Sequence, residues 1–259
     1  METLWFWLVA IMIAAYVLLD GFDLGAGALH LVLGKTDEER SQILDSIGPF
    51  WDGNEVWLLA GGGTLYFAFP VLYASAFSGF YLPLMVVLWL LVLRGIAIES
   101  RHMLHNNLWT PFWDTVFSGA SALLAIFFGA ALGNVVRGVP LDANQEFFLP
   151  LWTDFRVSGN PGILDWYTVL VALLALATLL HHGAWWVAYR THDEVEARAL
   201  RAARVAFRVV AGLTPVVTLA SGIVRPNLFA NFASMPFGAV FPLLAIGGLF
   251  VSMRAKTPL

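Results

Sequence analysis

Two carboxylates inside an apolar run are the first residues of this sequence that could do chemistry. Asp20 and Asp23 lie in a stretch that is otherwise almost wholly apolar from Leu4 to Leu33. Residues three apart share one face of a helix, and an ionised carboxylate in hydrocarbon is costly. Each must therefore face protein or water, or carry a proton. The pair predicts either a proton relay or a structural contact with a neighbouring helix.

A second polar group stands at the start of the next apolar run, in the sequence WDGNEVW. We expect it to form a polar and aromatic cluster close to the inner half of the first helix, because only about twenty residues connect the two. Its members are Trp51, Asp52, Asn54, Glu55 and Trp57. Two interpretations of Asp52 stay open here: a helix N-cap, or the entrance of a proton route that leads to Asp20.

A third group, Arg94, Glu99 and Arg101, ends a later apolar run in the sequence RGIAIESR. Arg94 and Glu99 are five residues apart, which is an imperfect spacing for a pair within one helix. A salt bridge across helices is the favoured interpretation. These residues are expected to support the other polar groups at the same depth.

The composition says what solvent surrounds these groups. Of the 259 residues, 59% are hydrophobic and 12% are charged, whereas soluble domains usually have about 25% charged residues. Long uncharged runs at this composition indicate a polytopic membrane protein surrounded by lipid. The net charge of −4 gives no reason to expect nucleic acid, and the lack of cysteine excludes disulfides and thiolate metal sites.

Apolar length and helix breakers predict an all-α protein with about seven membrane spans. The start, METLWFWLVA, lacks Lys and Arg and does not resemble a signal peptide, so the first span is expected to remain. The predicted spans cover roughly 4–33, 55–76, 80–99, 113–136, 163–189, 206–224 and 236–254.

The positive charges predict the orientation. With the N-terminus outside, the inner segments hold eleven Lys and Arg residues and the outer segments three, so the positive-inside rule favours N-out and C-in. Residues 191–208 then form a cytoplasmic helical linker. Asp20, about 25 Å along the first helix, lies on the cytoplasmic side of the midplane.

The chain divides into three predicted parts. Residues 1–137 form a first bundle of four helices, 138–162 an external loop, and 163–259 a second transmembrane bundle that is incomplete.

Several segments resemble subunit II of the cytochrome bd-type quinol oxidases. These are DGFDLGAG at 20–27, PFWDGNEVWLLAGGGTLYFAFPVLYASAFSGFYLPL at 49–84 and LRGIAIESRH at 93–102. FFGAALGNVVRGVPLD at 127–142 fits as well. The similarity is most specific in the first 102 residues and looser, but colinear, beyond them.

The resemblance implies a subunit of a prokaryotic inner-membrane complex that oxidises quinol and reduces oxygen to water. A partner, subunit I, would hold haems b558, b595 and d, and this chain would bind no haem or metal. Asp20 and Asp52 match family carboxylates on a cytoplasmic proton path, which agrees with the depth of Asp20. The resemblance leaves open small accessory subunits, a structural quinone, and an apolar oxygen route near Trp57.

The family usually has nine spans and more than 300 residues, so this chain is expected to lack the last two helices and part of the second bundle. Two other functions remain open. A proton-coupled transporter would also use a carboxylate in the membrane, and a purely structural scaffold would use both aspartates to hold helices together.

Overall fold

A computed structural model of the chain describes residues 1–104 and 106–254, so the end of the predicted second bundle, residues 255–259, lies outside it. The described part is all-helical, which confirms the predicted fold class. Its α-helices are α1 (Glu2–Leu33), α2 (Asp37–Ile47), α3 (Trp51–Ala68), α4 (Pro70–Gly79), α5 (Tyr81–Arg101), α6 (Trp109–Arg137), α7 (Trp166–Arg190), α8 (Asp193–Val224), α9 (Asn227–Ser234) and α10 (Val240–Arg254). A short 3₁₀ helix, Pro236–Ala239, precedes α10.

Five of the described helices, α1, α5, α6, α7 and α8, are long and apolar enough to cross a membrane. The count rises to seven if each of two bent pairs forms one span, in agreement with the predicted number. The inside and outside assignment stays a prediction.

The predicted second span, 55–76, is not one helix. α3 and α4 meet at an angle of 119°, and Pro70 begins α4. Proline has no backbone N–H and clashes with the preceding turn, so it ends the first helix at this point. The boundary predicted between the second and third spans, at 76–80, is present, because α4 ends at Gly79 and α5 begins at Tyr81. A similar bend of 108° separates α9 from the last helix.

The predicted linker, 191–208, is helical but not separate from the sixth span. Residues 193–208 of the linker and the whole sixth span belong to α8, which runs unbroken for 32 residues. The linker prediction missed this because its many charges mark only the aqueous end of the helix. Pro215 lies inside α8.

The first four spans pack side by side in the order α3, α1, α6 and α5. α7 packs against both α1 and α6 and holds α8 on its other side, and the division into two bundles stays a prediction. At the α1–α7 crossing, a methyl group on Gly25 would meet the backbone of Leu179 and Gly183. The small residues of the DGFDLGAG segment therefore let two helices approach closely.

Two connections between helices are held by capping and ion pairing. Thr36 and Glu39 form a capping box at the start of α2. Residues 138–165 form an extended loop without helix or strand. Arg137, at the end of α6, is paired with Asp165, the N-cap of α7, and donates to the carbonyl oxygen of Gly162 at 2.8 Å.

Candidate functional site

A guanidinium group lies at the centre of the site. Arg94, on α5, is completely buried. Its Nη2 and Nη1 donate to the two carboxylate oxygens of Asp20 on α1, at 2.7 and 3.1 Å. The same Nη1 donates to Oε1 of Glu55 on α3 at 3.0 Å. One side chain thus joins three helices, and we call Asp20, Glu55 and Arg94 the Arg94 cluster.

Burial differs across the Arg94 cluster. The side chains of Asp20 and Arg94 have no exposed surface, whereas 26% of the Glu55 side chain is exposed. A buried charge is tolerated only when it is paired and hydrogen-bonded. The two-pronged contact with Asp20 pairs Arg94 through both Nη atoms, while its Nε has no hydrogen-bond partner among the described residues. Within the Arg94 cluster, Asp20 and Arg94 are therefore shielded from solvent, and Glu55 is the member that reaches the surface.

A second polar contact joins α1 and α3. Asn54, next to Glu55 on α3, donates from Nδ2 to Oδ2 of Asp23 at 2.8 Å and to the carbonyl oxygen of Leu19 at 3.1 Å. Asp23 is fully buried. Its Oδ1 accepts no hydrogen bond from the described residues. The spacing argument placed both aspartates on one helix face, and both side chains are indeed buried against protein.

Asp52 lies at the exposed end of this arrangement. It is in the first turn of α3, but the N-cap is Phe50, and no side chain caps the helix. The capping interpretation of Asp52 is therefore wrong: the helix begins at Trp51, so Asp52 is already inside its first turn. Asp52 is exposed and precedes Glu55 by three residues, one turn of helix.

The remaining predicted residues differ in burial and in whether they contact the Arg94 cluster. Trp51 is half-buried and packs against the main hydrophobic core, and Trp57 is 38% exposed on the outside of α3. Glu99 is exposed. Arg94 bonds across helices, as favoured, and not to Glu99. Arg101 belongs to a different group of charges.

That group surrounds Asp114, a fully buried residue of α6 that the sequence analysis did not select. Its carboxylate accepts from Nε of Arg101 at 2.6 Å and from Nη1 of Arg40 at 3.1 Å, and lies 2.8 Å from Nε2 of His30. Arg101 also donates to Asp37 at 2.6 Å. These contacts, the Asp114 cluster, join α1, α2, α5 and α6.

One signal in the sequence could have revealed the Asp114 cluster. Asp114 is the only acidic residue between 109 and 137, a run otherwise long enough to span a membrane. His30 follows Asp20 and Asp23 by ten and seven residues, so it continues the same face of α1 about 15 Å beyond Asp20. The partners themselves come from separate helices and could not be paired by spacing.

An ion pair outside the spans fastens α2 to α8. Oε1 of Glu39 lies 2.5 Å from Nη2 of Arg198, and Oε2 of Glu39 accepts from the backbone N–H of Lys35 at 2.7 Å. The Arg198 guanidinium, followed by the Lys35 amide, lowers the pKa of Glu39 from 4.5 to about 2. The negative form of Glu39 is the one that holds the two helices together.

Comparison with known proteins agrees with the resemblance seen in the sequence. The family model described as "Cytochrome bd terminal oxidase subunit II" matches residues 1–258. The chain belongs to this family. The segments that carry the Arg94 cluster all lie within the matched range.

Three relatives show how far the similarity extends. The "Probable cytochrome oxidase subunit 2" of Haemophilus influenzae is 33% identical over 94% of this chain and 70% of its own length. The "Cytochrome bd-I ubiquinol oxidase subunit 2" of Escherichia coli K12 is 34% identical over 78% of this chain and 52% of its own length. The "Cytochrome bd ubiquinol oxidase subunit 2" of Bacillus subtilis is 34% identical over 81% and 60%. The chain thus spans between 52% and 70% of the length of these subunits.

Proposed function

We propose that this chain is the haem-free subunit II of a quinol:oxygen oxidoreductase of the cytochrome bd type. It would act in the inner membrane of a prokaryote, beside a haem-bearing subunit I, and carry protons to that partner from the cytoplasmic side. Support comes from family membership and from one structural observation: Arg94 links the buried Asp20 to the partly exposed Glu55.

The proton route begins at Asp52. Its exposed carboxylate can exchange protons with water at the start of α3. Glu55, one turn further along the same helix, is the next acidic side chain and is partly exposed. A water molecule between the two carboxylates would complete this first step.

The second step passes through the Arg94 cluster. Nη1 of Arg94 lies 3.0 Å from Glu55 and 3.1 Å from Asp20, so both carboxylates contact one guanidinium nitrogen. Two carboxylates and one guanidinium carry a net charge of −1, and the cluster becomes neutral when it holds one proton. Because an uncompensated buried charge is costly, neutrality favours uptake of a single proton at this place.

The partner would use these protons. Haems b558, b595 and d in subunit I would supply the electron transfer from quinol to oxygen, and the residues of this chain would hold and pass protons towards them. Taking protons from the cytoplasmic side would move charge across the membrane, worth about 2.3 kcal/mol per charge and 100 mV. A structural quinone, an oxygen route beside Trp57 and small accessory subunits stay open in this proposal.

A scaffold role is the main competing function. The two-pronged contact between Arg94 and Asp20 would hold α1 and α5 together whether or not protons pass. A proton-coupled transporter would have to function without a haem-bearing partner. Purification together with a three-haem partner would therefore exclude the transporter and leave proton delivery and the scaffold role.

Oxygen consumption by the purified complex tests the proton route. Glu55→Gln is the informative variant, because Asp20 still neutralises Arg94 and the partly exposed Glu55 site tolerates an amide. We expect oxygen consumption to fall about tenfold or more, with haem content unchanged. Asp52→Asn should slow the reaction less, since water can reach Glu55 directly.

Asp45→Asn is the matched control, since Asp45 is an exposed carboxylate on α2, close to the start of α3. It should leave oxygen consumption unchanged. If Glu55→Gln consumes oxygen at the normal rate, the route through Glu55 is wrong. If it loses haem together with activity, the scaffold function is correct.

A further inference from the structure

We propose that an anionic phospholipid binds in a groove between α1, α7 and α8, with its phosphate on Arg201 and its acyl chains against the apolar floor. The groove has a volume of about 440 Å³. Its apolar lining includes Leu29, Val32, Leu180 and Val205. Arg198 and Arg201 line the same groove from α8.

Two arginines at the polar end of the groove could bind an anion. Arg201 is exposed and forms no ion pair with any residue in the described ranges 1–104 and 106–254. Arg198 pairs with Glu39, yet its Nε is buried without a hydrogen-bond partner among the same residues. A phosphate group in the groove would give the exposed Arg201 an anionic acceptor in place of water, while Arg198, held by Glu39, adds positive charge beside it.

The depth of the groove matches the position of a lipid. Arg201 lies five residues before the predicted sixth span begins at about 206, which places it at headgroup level. Val209 lines the apolar part and lies eight residues further along α8, about 12 Å deeper. Val32, Val205 and Val209 are 57%, 57% and 44% exposed. A cationic end above an exposed apolar floor fits a headgroup above acyl chains.

Charge complementarity decides between an anionic lipid and an ordinary apolar occupant. By the positive-inside rule this end of α8 faces the cytoplasm, and the cytoplasmic leaflet carries the anionic lipids. Basic pockets between transmembrane helices on that side bind acidic headgroups. An apolar helix from a partner would cover the floor but leave Arg201 without an anion.

Native mass spectrometry of the purified complex in detergent, titrated with dioleoylphosphatidylglycerol or dioleoylphosphatidylcholine, tests the site. We expect the phosphatidylglycerol to bind more tightly. Arg201→Gln should weaken its binding about fivefold. Val205→Trp should also weaken binding by filling the floor from an exposed position. Arg204→Gln is the matched control, because Arg204 is an exposed arginine one turn away on α8 that does not line the groove.

Three outcomes would overturn the site. Equal binding of both lipids would show that the headgroup is not recognised. Equal losses in Arg201→Gln and Arg204→Gln would show only general attraction to a basic helix. In native membranes, a photo-crosslinking amino acid at position 205 should capture lipid, and capture of a polypeptide in its place would show that the groove is a protein interface.

Discussion

Replacing Asp20 with asparagine should destabilise the chain severely, because it removes the main partner of a fully buried guanidinium. Breaking a buried ion pair usually costs about 3–5 kcal/mol. Arg94 would keep one charged partner, Glu55 at 3.0 Å, and could still donate to the amide oxygen of the new asparagine. That remaining contact places the expected loss near the lower end, at about 3 kcal/mol.

Removing both charges should cost far less. In the double variant Asp20→Leu with Arg94→Met, no buried charge is left without a partner on α1 or α5. Glu55, with 26% of its side chain exposed, can turn to water. Exchange of a whole buried pair for apolar residues of similar size is often neutral or stabilising. We therefore expect the double variant to be more stable than the Asp20→Asn single variant.

The assay is reversible unfolding of the purified chain with its partner in mixed micelles of increasing SDS content, followed by tryptophan fluorescence. The single variants Asp20→Leu and Arg94→Met complete the cycle, and their losses should exceed that of the double variant by about 3 kcal/mol or more in sum. Additive losses, within about 0.5 kcal/mol, would refute the reasoning, since they would mean that the two side chains do not stabilise each other.

Two further predictions concern packing and pH. Gly25→Ala should destabilise the chain by about 1–3 kcal/mol, because the new methyl group would meet the backbone of α7; Gly62→Ala, with open space around it, should be neutral or slightly stabilising in the same SDS titration. The pKa of Glu39 is lowered from 4.5 to about 2, so the contact between α2 and α8 is fully present above pH 4.5 and is lost as the pH falls towards 2. Protection factors at the amides of α2, which are corrected for the intrinsic exchange rate at each pH, should fall over that window, and Arg198→Gln should lower them already at pH 7; protection in Arg198→Gln equal to that of the wild type would contradict the ion pair.

The sequence predicted that Asp20 and Asp23 share one face of α1, because periodicity along one helix depends on local geometry alone; that this face is buried against protein comes from the packing. It could not identify Arg94 as the partner of Asp20, since 74 residues separate them and the contact depends on how α5 and α1 pack. The same limitation explains why Arg101 was grouped with Arg94. Arg101 in fact donates a hydrogen bond to Asp114, on the following helix α6.

Errors in the helix boundaries have a related cause. The run from 56 to 76 carries no charged residue, so hydropathy alone continues the helix, but Pro70 removes a hydrogen bond and bends it. Residues 191–208 look like a separate linker because they are charged, but after the turn at 191–192 nothing in them stops a helix. The capping interpretation of Asp52 failed because the start of α3 depends on the turn at Phe50, which composition does not reveal.

The proposed proton route is tested most directly by proton uptake itself. The reduced complex, in vesicles with Asp52 facing outwards, would receive a pulse of oxygen while a pH-sensitive dye outside reports proton uptake. We expect Glu55→Gln to take up protons about tenfold or more slowly than the wild type, with haem content equal. Uptake at the wild-type rate in that variant would contradict a route through the Arg94 cluster.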